Sequence, residues 1–242
     1  MRKQFLKFAQ VAGIMLALTF TFGCSGSDDD TGGSGTAAGG AGGSCDISDY
    51  NKVVMPDGKT WMAENMNCVV AGSRCYGEGG REISYDKNGY HTTTLSNAEI
   101  KANCAKYGRL YDWEAAMKVC PNGWHLPSYD EWTTLINYVG GEDIAGKKLK
   151  TKDGWSYNLD GKIIYGKGTD DYGFSALPGG FGDSNGDFTS GSSGGWWWSA
   201  TMSDDSNICY LSLDYKDDDA YKLCNTSLNS NKVLFYVRCV QG

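Results

Sequence analysis

The side chains best placed to do chemistry lie in one run, CPNGWHLPSYDEWTTL, from Cys120 to Leu135. It combines His125 with the hydroxyl of Ser128 and the carboxyls of Asp130 and Glu131. A histidine, a hydroxyl and a carboxylate are the raw material of acid–base or nucleophilic catalysis. The local pattern argues for a structural role instead. Ser128 with Glu131 three residues on is a capping box that opens a helix, and Pro127 sets the entry. Adjacent helical residues diverge by about 100°, so Asp130 and Glu131 cannot flank one substrate bond. They read as first-turn acids that complement the helix dipole. The chain holds only two histidines, His91 and His125, far apart in sequence. His125 therefore reads as a packed or hydrogen-bonded residue, and a histidine metal centre is not expected.

Two acidic runs could hold a cation. DSNGDF places Asp183, Asn185 and Asp187 at the one-three-five spacing of a calcium loop. It lacks the glycine at position six, and Gly194 stands where the position-twelve glutamate belongs, so an Asn-Gly turn is the preferred reading. DYKDDDAY, Asp214 to Tyr221, reads as a solvated acidic loop. No metal and no cofactor is expected, a calcium ion at Asp183, Asn185 and Asp187 being the minor alternative.

The elements that must position these residues are partly legible. VVMPDGKTWMAENM reads as a hairpin turning at Pro56-Asp57-Gly58. Residues 76–95 are polar and Gly-rich, a long loop around a turn at Asn88-Gly89. Ser96 and Glu99 form a capping box for a helix through NAEIKANCAKY, stopped by Gly108. WEAAMKV starts from an Asp112 cap and ends before Pro121. A third helix spans Tyr129 to Val139 and stops at Gly140-Gly141. After residue 150, aromatic and aliphatic runs (GKIIYG, YGFSAL, GWWWSAT, NICYLSL, KVLFYVRCV) alternate with turn-forming clusters and read as strands with long loops. Helices first and antiparallel strands afterwards make the class α+β.

The first 23 residues carry Arg2, Lys3 and Lys7, then an apolar run from Val11 to Phe22 that is too short to span a bilayer. This reads as an export signal, and Cys24 directly after Gly23 resembles the acylated cysteine of a bacterial lipoprotein; ordinary secretion is the alternative. Ser25 to Ser44 holds eight glycines and no large apolar residue, a flexible tether running from 24 to 44. Asp28-Asp29-Asp30 resembles a surface-export signal, or is a solvated charge run. The expected address is the outer membrane or cell surface. Loss of residues 1–23 removes three basic residues and no acid, taking the formal charge from −7 to −10. Such a surface disfavours nucleic acid and anionic lipid. Residues 45–242 form one domain. Of the nine cysteines, eight remain when Cys24 is acylated, an even number that reads as disulfides, and no CxxC pair suggests zinc.

The run from Trp113 to Leu135 resembles the core of the C-type lectin-like fold, through Trp113, Ala116, Cys120, Gly123, His125, Leu126, Ser128, Glu131 and Leu135. Seven blocks in order from about Gly58 to Val240 are similar to the Fibrobacter succinogenes major paralogous domain family of exported, often lipidated proteins. They are GKTWMAENMN, CAKYGRLYDWEAA, VCPNGWHLPSYDEWTTL, AGKKLK, GTDDYGFSALPGG, WWSAT and VRCV. The resemblance implies two to three helices on a short-stranded antiparallel sheet with long loops, stapled by disulfides. It implies Cys120–Cys239 and Cys209–Cys224, with Cys75–Cys104 and Cys45–Cys68 preferred for the rest. It also implies that Trp124, Leu126 and Trp132 are core. An enzyme of this fold, the formylglycine-generating enzyme, has a block similar to HLPSYDEW, but its late copper-binding cysteine pair has no counterpart here. The calcium-holding tripeptides of sugar-binding lectins are also absent. Catalysis is therefore not expected.

Fifteen tyrosines and eight tryptophans are the more suggestive supply. Trp196-Trp197-Trp198 follows TSGSSGG, read as flexible; in a strand Trp196 and Trp198 share one face and Trp197 takes the other. The expected ligand face lies on loops between about Tyr172 and Tyr221. Trp196, Trp198, Tyr210, Tyr215 and Tyr221 form its ring platform, and Asp183, Asp187, Asp204 and Asp205 its polar contacts, a paratope-like mixture. The expectation is a non-catalytic, surface-displayed binding module for an extracellular glycan or protein. The alternative is a structural cell-envelope lipoprotein with no small ligand, its rings all core or assembly interface.

Overall fold

The computed structural model describes residues 45–86, 88–203, 207–225 and 232–242. Cys24, the export signal and the tether lie outside the described residues. In chain order the strands and helices are β1 (Lys52–Val54), β2 (Thr60–Met62), β3 (Ser73–Arg74), β4 (Glu82–Asp86), β5 (Gly89–Thr93) and α1 (Asn97–Tyr107). There follow β6 (Leu110–Tyr111), α2 (Trp113–Val119), β7 (Trp124–His125), α3 (Tyr129–Tyr138) and α4 (Glu142–Leu149). The remainder is β8 (Ser156–Leu159), β9 (Lys162–Tyr165), β10 (Gly179–Gly182), β11 (Phe188–Gly191), β12 (Gly194–Ser203), β13 (Asn207–Asp214), β14 (Ala220–Asn225) and β15 (Val240–Gln241). The class is α+β. A seven-stranded sheet runs β14-β13-β12-β10-β11-β4-β5 and a four-stranded one β1-β2-β15-β7, beside the small pairs β3-β6 and β8-β9. Pairing is antiparallel except at β10–β12 and β11–β4.

The caps read from sequence are in place. The Ser96 and Ser128 hydroxyls accept from the amides of Glu99 and Glu131, whose side chains close both capping boxes, and Asp112 caps α2. Four features differ from the sequence reading. KVLFYVRCV, read as a strand, pairs only through isolated bridges at Leu234, Phe235 and Tyr236 before β15. α4 is a fourth helix among the described residues. Its N-cap, Gly141, offers no side chain, so no capping signal precedes it, though Glu142 and Asp143 open it and Lys147 and Lys148 close it. The stretch taken as a long loop at 76–95 forms the β4–β5 hairpin, with Asp86 paired to Gly89. YGFSAL is no strand; Phe174 and Ala176 are buried in an irregular segment held by one bridge, Lys150 to Ala176.

β12 organises the interior. Trp197 and Trp198 are both 0% exposed. Trp197 joins a cluster with Trp61, Trp132 and Phe174, whereas Trp198 joins Met62, Tyr111 and Phe235, with Trp196 packed on that second side. The period-two alternation holds, but both faces are core. β12 shifts register against β13 between Trp198 and Met202. At that irregularity the Trp132 indole donates to the Trp198 carbonyl at 3.3 Å, and the Trp113 indole to Ser199 at 2.9 Å. Ala200 N donates to Pro127 O at 2.8 Å and Tyr129 N to the Thr201 hydroxyl at 2.9 Å. The bulged strand thereby satisfies its backbone by docking α2 and the start of α3.

Disulfides join Cys45 to Cys68, Cys75 to Cys104, Cys120 to Cys239 and Cys209 to Cys224. Arg238 is fully buried, and among the described residues no carboxylate pairs with it. It donates to Asn65 Oδ1 at 2.8 Å and to the carbonyls of Met62, Phe174 and Ser175, and lies over the Phe174 ring. Asn65 Oδ1 also accepts from the Trp197 indole at 2.8 Å. Burial pulls the guanidinium pKa down to about 9. Arg238 and Asn65, from opposite ends of the domain, thus hold one another and the central tryptophan.

Candidate functional site

The His125 cluster is a closed hydrogen-bond network. Glu131 Oε1 takes the Lys59 ammonium at 2.6 Å and His125 Nε2 at 2.9 Å, while Oε2 accepts from the Ser128 amide at 2.8 Å and its hydroxyl at 3.0 Å. Burial alone would raise the Glu131 pKa, but these donors outweigh it and hold the carboxyl down to about 2. A carboxylate so occupied is a poor base and a good strut.

The expected ring platform is largely interior. Trp198 is a correction: it is fully buried and its indole donates to Tyr111 O at 2.7 Å. Trp196 is half-buried edge-on against Phe181 at 4.7 Å, and Tyr210 is half-buried against Phe235 at 5.1 Å. Tyr215 stacks on Tyr157 at 5.3 Å with the planes 15° apart. Tyr221 is exposed, its phenol donating to Asp217 and Asp219 at 2.8 and 3.1 Å. The structure therefore does not gather these five rings on one open face.

The acids are spoken for as well. Asp183 Oδ1 accepts from the amides of Asn185 and Asp187 at 2.8 and 3.0 Å, a closed turn. Asp187, only 7% exposed, takes Arg81 through its amide, Nε and Nη2 at 2.9, 3.2 and 2.7 Å. Hydrogen bonds from the guanidinium hold its carboxyl below the usual range. Expected as a ligand contact, Asp187 instead ties the start of β4 to β11. Asp204 and Asp205 lie outside the described residues. In the Asp214–Tyr221 loop the chain supplies its own cations, Lys147 on Asp218 at 3.2 Å and the more deeply placed Lys150. Lys150 is 1% exposed, donates to Asp214 O and Asp217 O at 2.8 and 2.6 Å, and lies over Trp155. Burial draws its pKa down against the nearby aspartates. Among the described residues no group of three or more His, Cys, Asp or Glu side chains is arranged to hold a metal.

A different set of residues forms the candidate site. A cleft of about 410 Å³ opens between the β4–β5 hairpin and β8, floored by Thr189 to Ser193. Tyr85 stands on one wall and Tyr157 on the other, among serines, Asn158, Glu82, Asp86 and His91. The floor, taken from sequence as flexible, is pinned by backbone bonds on three sides. Ser192 N donates to Pro178 O at 2.8 Å, Ser156 N to Ser192 O at 2.7 Å, and Tyr215 N to Ser193 O at 2.8 Å. Ser190 and Ser192 sit at φ of 61° and 67°, left-handed positions a serine occupies only when its surroundings impose them. Between them a Cβ on Gly191 would come within 3.0 Å of the Tyr76 hydroxyl. That phenol accepts from Gly191 N at 3.3 Å and donates to Glu82 at 3.2 Å, and its burial pushes its pKa well up.

Asp86 pairs with His91 Nε2 at 2.8 Å and accepts from Asn88 N at 2.7 Å, bonds that hold its carboxyl below its ordinary range. Ser84 faces His91 across the hairpin, so serine, histidine and aspartate share this wall. No hydrogen bond links Ser84 to His91 among the described residues, whereas a nucleophile needs that bond to its base. Sequence reasoning missed the cleft because its three parts are separated by about 70 and 30 residues; the clues were the Asn88-Gly89 turn and the serine run.

A sequence model of the Fibrobacter succinogenes major domain matches residues 55–241, most of the 242-residue chain. The chain belongs to that family. No curated protein and no solved structure matches it. The family's domain begins at Met55 and ends at Gln241, so β2, β15, the bulged β12 and all three walls of the cleft lie within it. No helix among the described residues is long and apolar enough to cross a membrane.

Proposed function

We propose that this family member is a non-catalytic binding module with a C-type lectin-like fold, carried on a lipid-modified Cys24 at the outer membrane or cell surface. Its ligand is an extracellular glycan or protein. The observation that carries this reading is the cleft, polar, flanked by tyrosines and floored by a pinned turn. Rigid rings lose little conformational entropy on meeting a ligand. For the fold, support comes from Cys120 at the end of α2 bonded to Cys239 beside the last strand, and from α3 following β7 with its capping box. Against catalysis stand the saturated Glu131 and the spacing of the two cleft carboxylates. Glu82 and Asp86 are four residues apart on β4, roughly 13 Å along the strand, wider than glycoside hydrolysis uses.

The alternative, a structural envelope lipoprotein, gains from the burial of Trp197 and Trp198. Capture experiments separate the two. Immobilised full-length chain, presented with envelope extracts and polysaccharides, should retain a ligand that also elutes with soluble competitor. Retention of nothing, or chemical turnover of what is retained, refutes the binding-module reading.

A further inference from the structure

We infer that the cleft between the β4–β5 hairpin and β8 is a binding site for an uncharged oligosaccharide. This deepens the binding-module reading and rests on it. The lining decides the ligand's chemistry. Among the described residues no lysine or arginine lines the cleft, and its two carboxylates, Glu82 and Asp86, would repel an anion. Both are already engaged within the protein, Glu82 by the Tyr76 phenol and Asp86 by His91 and Asn88 N. Their hydrogen bonds are already taken up inside the protein, so recognition of a ligand falls to the other groups. What remains is hydroxyl, amide and ring. The Ser192 and Ser193 hydroxyls donate inward, to Ser156 O at 3.3 Å and Ser190 O at 3.2 Å, and each keeps acceptor capacity for a ligand hydroxyl. The hydroxyls of Ser84 and Ser190 have no partner among the described residues. A sugar ring, a donor and acceptor at almost every carbon with an apolar face, matches such a surface; an apolar or singly charged ligand does not.

Each of the two wall rings meets a second ring. Tyr157 stacks on Tyr215, and Tyr85 meets Tyr90 edge-to-face at 5.6 Å and 68°. Tyr85 is still 58% exposed. An exposed ring held by a second ring is ready to stack without first losing rotamer freedom. The volume falls at the small end of ligand clefts, which suits a short stretch of a glycan.

The test is titration of the full-length chain with neutral gluco-, xylo- and manno-oligosaccharides, and with acidic oligogalacturonate as the charged counterpart. A neutral oligosaccharide should bind, and the acidic one at least tenfold more weakly. Tyr85→Ala should weaken neutral binding by about thirtyfold, the loss expected of an anchor ring, with Tm unchanged. Tyr157→Phe keeps the stack on Tyr215 and loses one hydroxyl, so a roughly fivefold loss is expected. Neutral binding that both variants leave intact would place the site elsewhere and overturn this inference while the module reading stands. The same holds if the acidic sugar binds better, or if only a protein is captured and no oligosaccharide binds. Capture of nothing at all would remove both.

Discussion

Glu131→Gln tests the network at the heart of the HLPSYDEW block. The substitution keeps the shape and the capping box, because a glutamine at N3 closes it as well as a glutamate. With the amide oxygen kept on Ser128, the acceptor facing Lys59 and His125 is lost along with its charge, and an NH2 group takes its place. A carboxyl moved from 4.5 to about 2 corresponds to about 3 kcal/mol of preference for the ionised form in the folded protein. Lys59 and His125 are 39% and 41% exposed, against 15% for Glu131, so solvent screening reduces this to about 1–2 kcal/mol. The folded value lies below the unfolded one. The contribution is therefore complete above about pH 4.5 and disappears as the pH falls through about 2. Urea denaturation of both proteins at pH 7 and pH 2 measures it, since every other carboxyl titrates in both and cancels in the difference. The variant should be less stable by about 1–2 kcal/mol at pH 7, and the gap should nearly close at pH 2. An equal gap at both pH values would show that the lost stability comes from packing or capping and would refute the electrostatic argument.

Trp197→Ala and Trp198→Ala should each cost about 3–5 kcal/mol in chemical denaturation, since both rings are fully buried on opposite faces of β12; a loss under about 1 kcal/mol at either would contradict the two-faced core. Under limiting dithiol, mass spectrometry should find Cys45–Cys68 and Cys209–Cys224 opened before Cys75–Cys104. The first two each have one exposed cysteine and the last has both partners buried. Labelling with a palmitate analogue should mark the wild-type chain and not Cys24→Ala; equal labelling would remove the lipid anchor.

Local chemistry alone determined much of this protein. Ser96, Asp112 and Ser128 cap their helices because capping is a contact within four residues, written in the sequence as it stands in space. The alternation of Trp196, Trp197 and Trp198 follows from strand geometry in the same way. Which of those faces meets water was decided elsewhere. Trp61, Trp132 and Phe174 cover one side and Phe235 and Tyr111 the other, all of them distant in sequence. α4 stayed hidden because Gly141 gives it no cap, and Lys147 within it and Lys150 just after it acquire meaning only beside the Asp214–Tyr221 loop. The cleft depends entirely on tertiary structure. Residues 82–91, 156–161 and 189–193 share no local pattern, and they meet because Arg81 ties Asp187 and because Ser192 and Ser193 accept from β8 and from the end of β13. Short-range hydrogen bonds can be read along a chain; a surface assembled from three separate segments exists only once the chain has folded.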